Sequence, residues 1–163
     1  MRICVYPGSF DPFTEGHLDI LNNARELFDI VYVSVLQNRN KKTTFSVKER
    51  VQMIQNIIDT NGYKNVYAES FDGLLIHYAK KKNAGYIVRG LRALTDFEYE
   101  FQLDAANKFL DNSIQTIYFM AKPEHLFLSS SFVKELCSYN ADINQIVPEC
   151  NLNTILERTK NNE

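Results

Sequence analysis

The sequence predicts an α/β fold: an open parallel sheet of five strands with helices on both faces. Short apolar runs alternate with amphipathic helical runs from end to end, the pattern of repeated strand–helix–strand units. The clearest of the short runs, residues 30–36 (IVYVSVL), is apolar almost throughout and β-branched, as a strand covered on both faces should be. The chain has 163 residues, 45% hydrophobic and 23% charged, which is enough for one domain with a real core. Right-handed crossovers then put helices on both faces, and a ligand belongs in the crevice beyond the strand C-termini. The expected product is a single Rossmann-like domain over residues 1–163, with closing helices from about 142.

Residues 2–6 (RICVY) read as the first strand. Residues 7–12 (PGSFDP) should end it, since two prolines and a glycine neither continue a strand nor start a long helix. Thr14-Glu15-Gly16-His17 and an amphipathic run over 18–28 follow. The second strand, 30–36, gives way to a polar loop over 37–44. Ser46 and Glu49 then form a capping box, with Val47, Val51, Ile54 and Ile58 on one face and Asn61-Gly62 as the stop. Residues 65–69 form a short third strand, and a helix follows over about 74–82. Its lysines 80–82 read as a solvated last turn, and His77 as structural. Residues 86–89 are the fourth strand, ending in Gly90. A second capping box, Thr95 to Glu98, opens a helix whose Phe97, Phe101, Ala105 and Phe109 form one apolar stripe. Residues 115–120 are the fifth strand; a loop over 121–128 leads to a helix through about Tyr139. Residues 142–147 and 151–159 read as short closing helices, and the last four residues as a frayed tail.

A net charge of −2 argues against a general nucleic-acid binder, and no stretch is apolar enough to cross a membrane. Cys4, Cys137 and Cys150 are odd in number and lack C-x-x-C spacing, so reduced thiols in a cytoplasmic protein are expected and no metal site is. Neither the dinucleotide fingerprint G-x-G-x-x-G nor the P-loop G-x-x-x-x-G-K-[ST] is present, so a phosphate site here has another design.

That site begins with the first seventeen residues. A strand, a Gly-containing turn and a helix opening on small polar residues present unpaired N–H groups and a positive dipole end to an anion. The same dipole disfavours a charged imidazole, so His17 is expected there as a neutral donor to phosphate. Arginines at 89 and 92 around Gly90 suit bidentate phosphate binding. Ser129, Ser130 and Ser131 ahead of a helix suit either a plain N-cap or a phosphate cradle. Every one of these groups is expected just past a strand end.

The stretch GSFDPFTEGH resembles the (T/S)-F-D-P-x-T-x-G-H signature of the bacterial phosphopantetheine adenylyltransferases, within the wider T/HxGH nucleotidyltransferase superfamily. The stretches IVRGLRA with DFEYE, NKK with the following Phe45, and FLSSSFVKE are similar to that family's remaining blocks, in the family's order. The resemblance implies transfer of the adenylyl group of ATP to 4′-phosphopantetheine, giving dephospho-coenzyme A and pyrophosphate. It implies catalytic roles for His17, Lys41 and Arg92, with Lys42 beside Lys41 as the other candidate lysine. Ser9, Lys41, Leu75 and Arg89 would bind phosphopantetheine. Ser9, Phe10, His17, Gly90, Leu91, Arg92, Glu100, His125, Leu126, Phe127, Leu128, Ser129, Ser130 and Ser131 would bind ATP. His125 stands where many members carry tyrosine or tryptophan, and Glu100, taken alone, reads as a surface helix residue. Mg²⁺ is expected to arrive on the ATP phosphates, and a homohexamer is implied. The alternatives are a T-x-G-H enzyme acting on glycerol phosphate or nicotinamide mononucleotide, a non-catalytic nucleotide sensor, and a protein whose main job is assembly.

Overall fold

A computed structural model describes residues 1–37, 42–92 and 94–160. Five parallel strands form one sheet in the order β3-β2-β1-β4-β5. The strands are β1 (Ile3–Gly8), β2 (Ile30–Leu36), β3 (Val66–Phe71), β4 (Tyr86–Leu91) and β5 (Gln115–Met120). The helices are α1 (Glu15–Leu27), α2 (Val47–Asn61), α3 (Leu75–Lys81), α4 (Leu94–Leu110), α5 (Ser130–Ser138) and α6 (Leu152–Lys160), with 3-10 turns at Pro123–His125 and Glu149–Asn151. The expected α/β architecture is therefore the observed one. No helix among the described residues is long and apolar enough to cross a membrane.

Three apolar clusters hold the layers together. On one face, Ile20, Leu21 and Ala24 of α1 and Ile54, Ile57 and Ile58 of α2 pack on Val31, Val33, Val35 and Val88. On the other, Ile76 and Ala79 of α3 pack on Ile3, Val5 and Ile87. Behind α2, a third cluster joins Phe45 and Met53 to Val133, Cys137, Ile143 and Ile155, which docks α5 and α6. The α2 capping box is present in both directions, Ser46 N–H to Glu49 at 2.7 Å and Glu49 N–H to Ser46 at 3.3 Å. Gly62 ends that helix at φ 63°, a left-handed turn that suits glycine.

Several boundaries differ from the sequence reading. β1 continues through Pro7 and Gly8, which pair with Ser34 and Val35 of β2. On the β4 side its pairing covers only Cys4 and Val5, and Pro7 has no N–H to donate there. A proline is thus tolerated because one side of the strand is already unladdered. β3 likewise runs on to Phe71. β4 runs past Arg89 to Leu91, paired with Met120, so Gly90 is a strand residue and does not end the strand. α1 begins at Glu15, three residues before the apolar run, because Thr14 caps it. α4 begins at Leu94, which puts Thr95 inside the first turn and not ahead of it. Residues 142–147 are turns, and only Glu149–Asn151 and α6 close the chain helically. The lysine run is not merely solvated: Lys80 pairs with Asp111 at 2.6 Å, and Lys82 with Glu69 at 2.5 Å. In the tail expected to fray, residues 161–163 lie outside the described residues.

The largest departure is α4. Phe97, Phe101 and Phe109 are 50%, 63% and 89% exposed, so the apolar stripe faces away from the sheet. The inward face instead carries Glu100, which is buried, and half-buried Asp104.

Candidate active site

The site grows from the turn between β1 and α1. Thr14 caps α1, and its partner in the capping box is an imidazole in place of the usual Glu or Gln. The Thr14 backbone N–H donates to His17 Nδ1 at 3.0 Å, and the His17 backbone N–H donates to the Thr14 hydroxyl at 3.3 Å. Because Nδ1 accepts, the neutral ring carries its proton on Nε2. Burial, and then the positive charge of Arg92, push the His17 pKa down to about 3. Phe10 stands edge-on to this ring at 5.2 Å and Phe13 packs at 5.3 Å, so its orientation is set as well as its protonation. The result is a neutral, fixed Nε2–H donor at a helix N-terminus.

Around it, three other chain segments converge on the same edge of the sheet. Arg92, just past β4, donates from Nη1 to the Leu128 carbonyl at 2.8 Å. Ser129 caps α5 by accepting the Phe132 N–H at 3.0 Å, and the Ser130 hydroxyl donates to the Pro12 carbonyl at 2.7 Å. The N-termini of α1 and α5 therefore meet across the 9–14 turn. His125 Nδ1 pairs with Asp19 of α1, and Lys122 reaches the other Asp19 oxygen at 2.9 Å. This ties the 121–128 loop down onto α1.

Arg89 is engaged by the protein itself. Its Nε donates to Glu100 Oε2 at 2.7 Å, its Nη2 to Glu100 Oε1, and its Nη1 to the Pro7 carbonyl at 3.3 Å. Glu100 is therefore a buried partner of Arg89 and not the surface helix residue its sequence context suggests. Gly90 has a packing role: a Cβ there would lie 2.9 Å from Ile20 Cγ1, so α1 can sit this close to β4 only over glycine.

The structure thus brings Ser9, Phe10, His17, Arg92, Leu128, Ser129 and Ser130 to one crevice edge. Of these, Phe10 is only 2% exposed, and its ring lies in the core. Leu91 and Leu128 are also buried, whereas Leu126, Phe127 and Ser131 are exposed beside them. Leu75 opens α3 and packs against the cluster on the sheet's other face. Lys41 lies outside the described residues; Lys42 is exposed.

Three charged residues that the sequence reading left without a role lie beneath the turn. Asp11 is 2% exposed and accepts the N–H groups of Thr44 at 3.0 Å and Phe45 at 2.9 Å, with Lys134 Nζ at 3.0 Å. Burial pushes its pKa up, but the Phe45 and Thr44 N–H groups and the Lys134 ammonium outweigh this and hold it below the ordinary carboxylate range. Arg50, 3% exposed, donates to the Ser9 carbonyl at 2.6 Å and the Phe45 carbonyl at 3.1 Å. A signal existed for two of them. Asp11 stands between Phe10 and Phe13 in the β1–α1 turn, and Arg50 falls four residues before Ile54 on the apolar face of α2.

Comparison with known proteins agrees with this geometry. A model of the cytidylyltransferase-like family matches residues 5–136. The chain is 47% identical over 158 residues to a phosphopantetheine adenylyltransferase of Clostridium novyi, covering 97% of each chain. It is 44% identical over 160 residues to one of Caldanaerobacter subterraneus, covering 98% of this chain and 99% of that one. The fold matches a Plasmodium falciparum nicotinic acid mononucleotide adenylyltransferase with a TM-score of 0.69 over 99% of this chain and 95% of that one, at 18% identity. A cytidylyltransferase-like domain, near-full-length identity above 40% and the T-x-G-H turn with its neutral histidine lead to one conclusion: the chain belongs to the phosphopantetheine adenylyltransferase family.

Proposed function

We propose that the chain transfers the adenylyl group of ATP to 4′-phosphopantetheine, releasing pyrophosphate and forming dephospho-coenzyme A. The observation that carries this reading is His17, held neutral with its Nε2–H directed away from the Thr14 cap. A 4′-phosphate oxygen attacks the α-phosphorus of ATP, the P–O bond to the β-phosphate breaks, and the electron pair leaves with pyrophosphate. The attacking phosphate is already an anion near neutral pH, so no protein base is needed. Catalysis is then positioning and charge stabilisation. A neutral Nε2–H suits this chemistry, because it donates to the α-phosphate as charge builds and does not give up a proton that must be returned.

In this reading Arg92 and Lys41 orient and neutralise the reacting phosphates, Ser9 meets both substrates, and Leu75 contacts the pantetheine arm. Arg89 keeps N–H groups beyond those given to Glu100 and Pro7, and these serve the acceptor phosphate. Gly90, Leu91 and residues 125–131 line the ATP side, while Glu100 acts on the acceptor side by holding Arg89 in place. Magnesium enters as part of the substrate Mg-ATP. Asp11, the carboxylate beneath the turn, is already taken by two N–H groups and an ammonium, so it is not a free ligand for a resident ion. The exposed stripe of α4 supports assembly with further copies of this chain, and the hexamer of the family is the form we propose. A cytoplasmic setting fits the three free thiols.

The test is pyrophosphate release from Mg-ATP with 4′-phosphopantetheine, pantetheine or nicotinamide mononucleotide as acceptor. Release that requires the phosphorylated arm supports the reading. ATP binding without release for any acceptor would replace it with that of a nucleotide sensor.

A further inference from the structure

We infer that Asp11 is a positioning residue that locks the two substrate sides of the site together, with Lys134 and Arg50 as its braces. The inference rests on the adenylyl-transfer reading and deepens it. Asp11 lies in the β1–α1 turn, two residues after Ser9 and six before His17. Its two oxygens reach into the segment before α2, where Oδ2 accepts the Thr44 N–H and Oδ1 the Phe45 N–H. That segment continues from the lysines assigned to the acceptor side. The Oδ2 atom also holds Lys134 Nζ, from the second turn of α5, whose N-terminus carries Ser129, Ser130 and Ser131. One buried carboxylate from the segment after β1 thus holds the segments that follow β2 and β5.

Arg50 closes the same unit from below. It bonds the Ser9 carbonyl and the Phe45 carbonyl, so the turn and the segment that Asp11 joins by accepting the Thr44 and Phe45 N–H groups are joined again through their C=O groups. Ser130, bonded to the Pro12 carbonyl, adds a second tie between α5 and the turn. Such a unit is not what stability alone requires, since a buried ion pair adds little over an apolar packing of the same volume. It does fix relative position. In a reaction with no protein base, the alignment of acceptor phosphate against the α-phosphorus carries much of the rate. The unit also sets one anion against two cations, a local excess of positive charge beneath the turn where a triphosphate and a second phosphate meet.

The test compares Lys134→Met, Lys134→Arg and Asp11→Asn with the parent protein, with rates taken per folded molecule. In Lys134→Met, kcat is expected to fall about 10- to 100-fold, with both KM values near those of the parent. Lys134→Arg, which keeps the cation, is expected to restore most of that loss. Asp11→Asn is expected to lose at least as much turnover as Lys134→Met. Because it is buried and risks misfolding, the half-buried Lys134 variants decide the matter. Amide hydrogen exchange gives a readout independent of turnover. Thr44 and Phe45, which lie across the carboxylate from Lys134, are expected to lose protection in Lys134→Met. Unchanged kcat per folded molecule together with unchanged exchange at 44–45 would overturn the inference. A parent protein that turns over no acceptor would instead overturn the adenylyl-transfer reading, while the exchange data would still judge the brace.

Discussion

The β1–α1 turn and helix α4 lie at the same edge of one sheet, and they are built in opposite ways. The turn satisfies itself. Thr14 and His17 cap each other, Asp11 and Arg50 bond the neighbouring backbone, and Phe10 and Phe13 are buried beside the imidazole. α4 turns Glu100 inward to Arg89, pairs Asp104 with its own Lys108, and leaves three phenylalanines outside. The difference teaches that apolar periodicity marks a stripe on a helix but not the side of the helix that the fold will bury. The turn is braced from within, whereas α4 leaves its apolar stripe uncovered in the single chain.

The largest way to test the braced side is His17→Ala. Losing a fixed donor of this kind typically lowers turnover about 100- to 1,000-fold. We expect that loss in pyrophosphate release at saturating substrates, with assembly unchanged. Wild-type turnover in this variant would remove the imidazole from the chemistry.

On the other side, Phe97, Phe101 and Phe109 changed together to Ser are expected to shift the protein to smaller species by sedimentation velocity. Each buried phenylalanine is worth about 1.5–3 kcal/mol, so three exceed what most assemblies can lose. Retention of the parent's sedimentation coefficient would mean that the stripe is not the interface.

The pH dependence sharpens the comparison further. His17 binds a proton only near pH 3 in the folded chain, against an ordinary value of 6.5. Between those values the unfolded chain holds more protons, so acidification favours unfolding. The melting temperature should fall from pH 6.5 to 4, as this group removes at most about 1.4 kcal/mol of stability per pH unit. His17→Gln should flatten that fall, and an identical profile in both proteins would trace the acid sensitivity elsewhere.

The smallest effect is expected from Gly90→Ala. The new methyl meets Ile20, and overpacking of this kind costs about 1–2 kcal/mol in melting experiments. In an Ile20→Ala background the same change should cost less, because the obstructing atom is gone; strictly additive losses would argue against that contact.

Much of the molecule was legible in the chain. Strand–helix alternation yields the parallel sheet, because apolar runs of this length bury both faces only under helices. The Ser46 capping box and the Gly62 stop are local devices and formed as read. The T-x-G-H turn was likewise readable, since a neutral donor at a helix N-terminus follows from neighbours a few residues apart. What the tertiary structure decided are the meetings between distant residues. Arg89 and Glu100 are partners because α4 lies over β4, and Asp11, Arg50 and Lys134 come together because the β1–α1 turn, α2 and α5 share one corner. Pro7 stays in its strand because β4 pairs with β1 only as far as Val5. Local devices depend on backbone groups within one turn and so appear in sequence spacing. A buried charge is placed by whatever the fold brings opposite it, and no spacing along the chain records that.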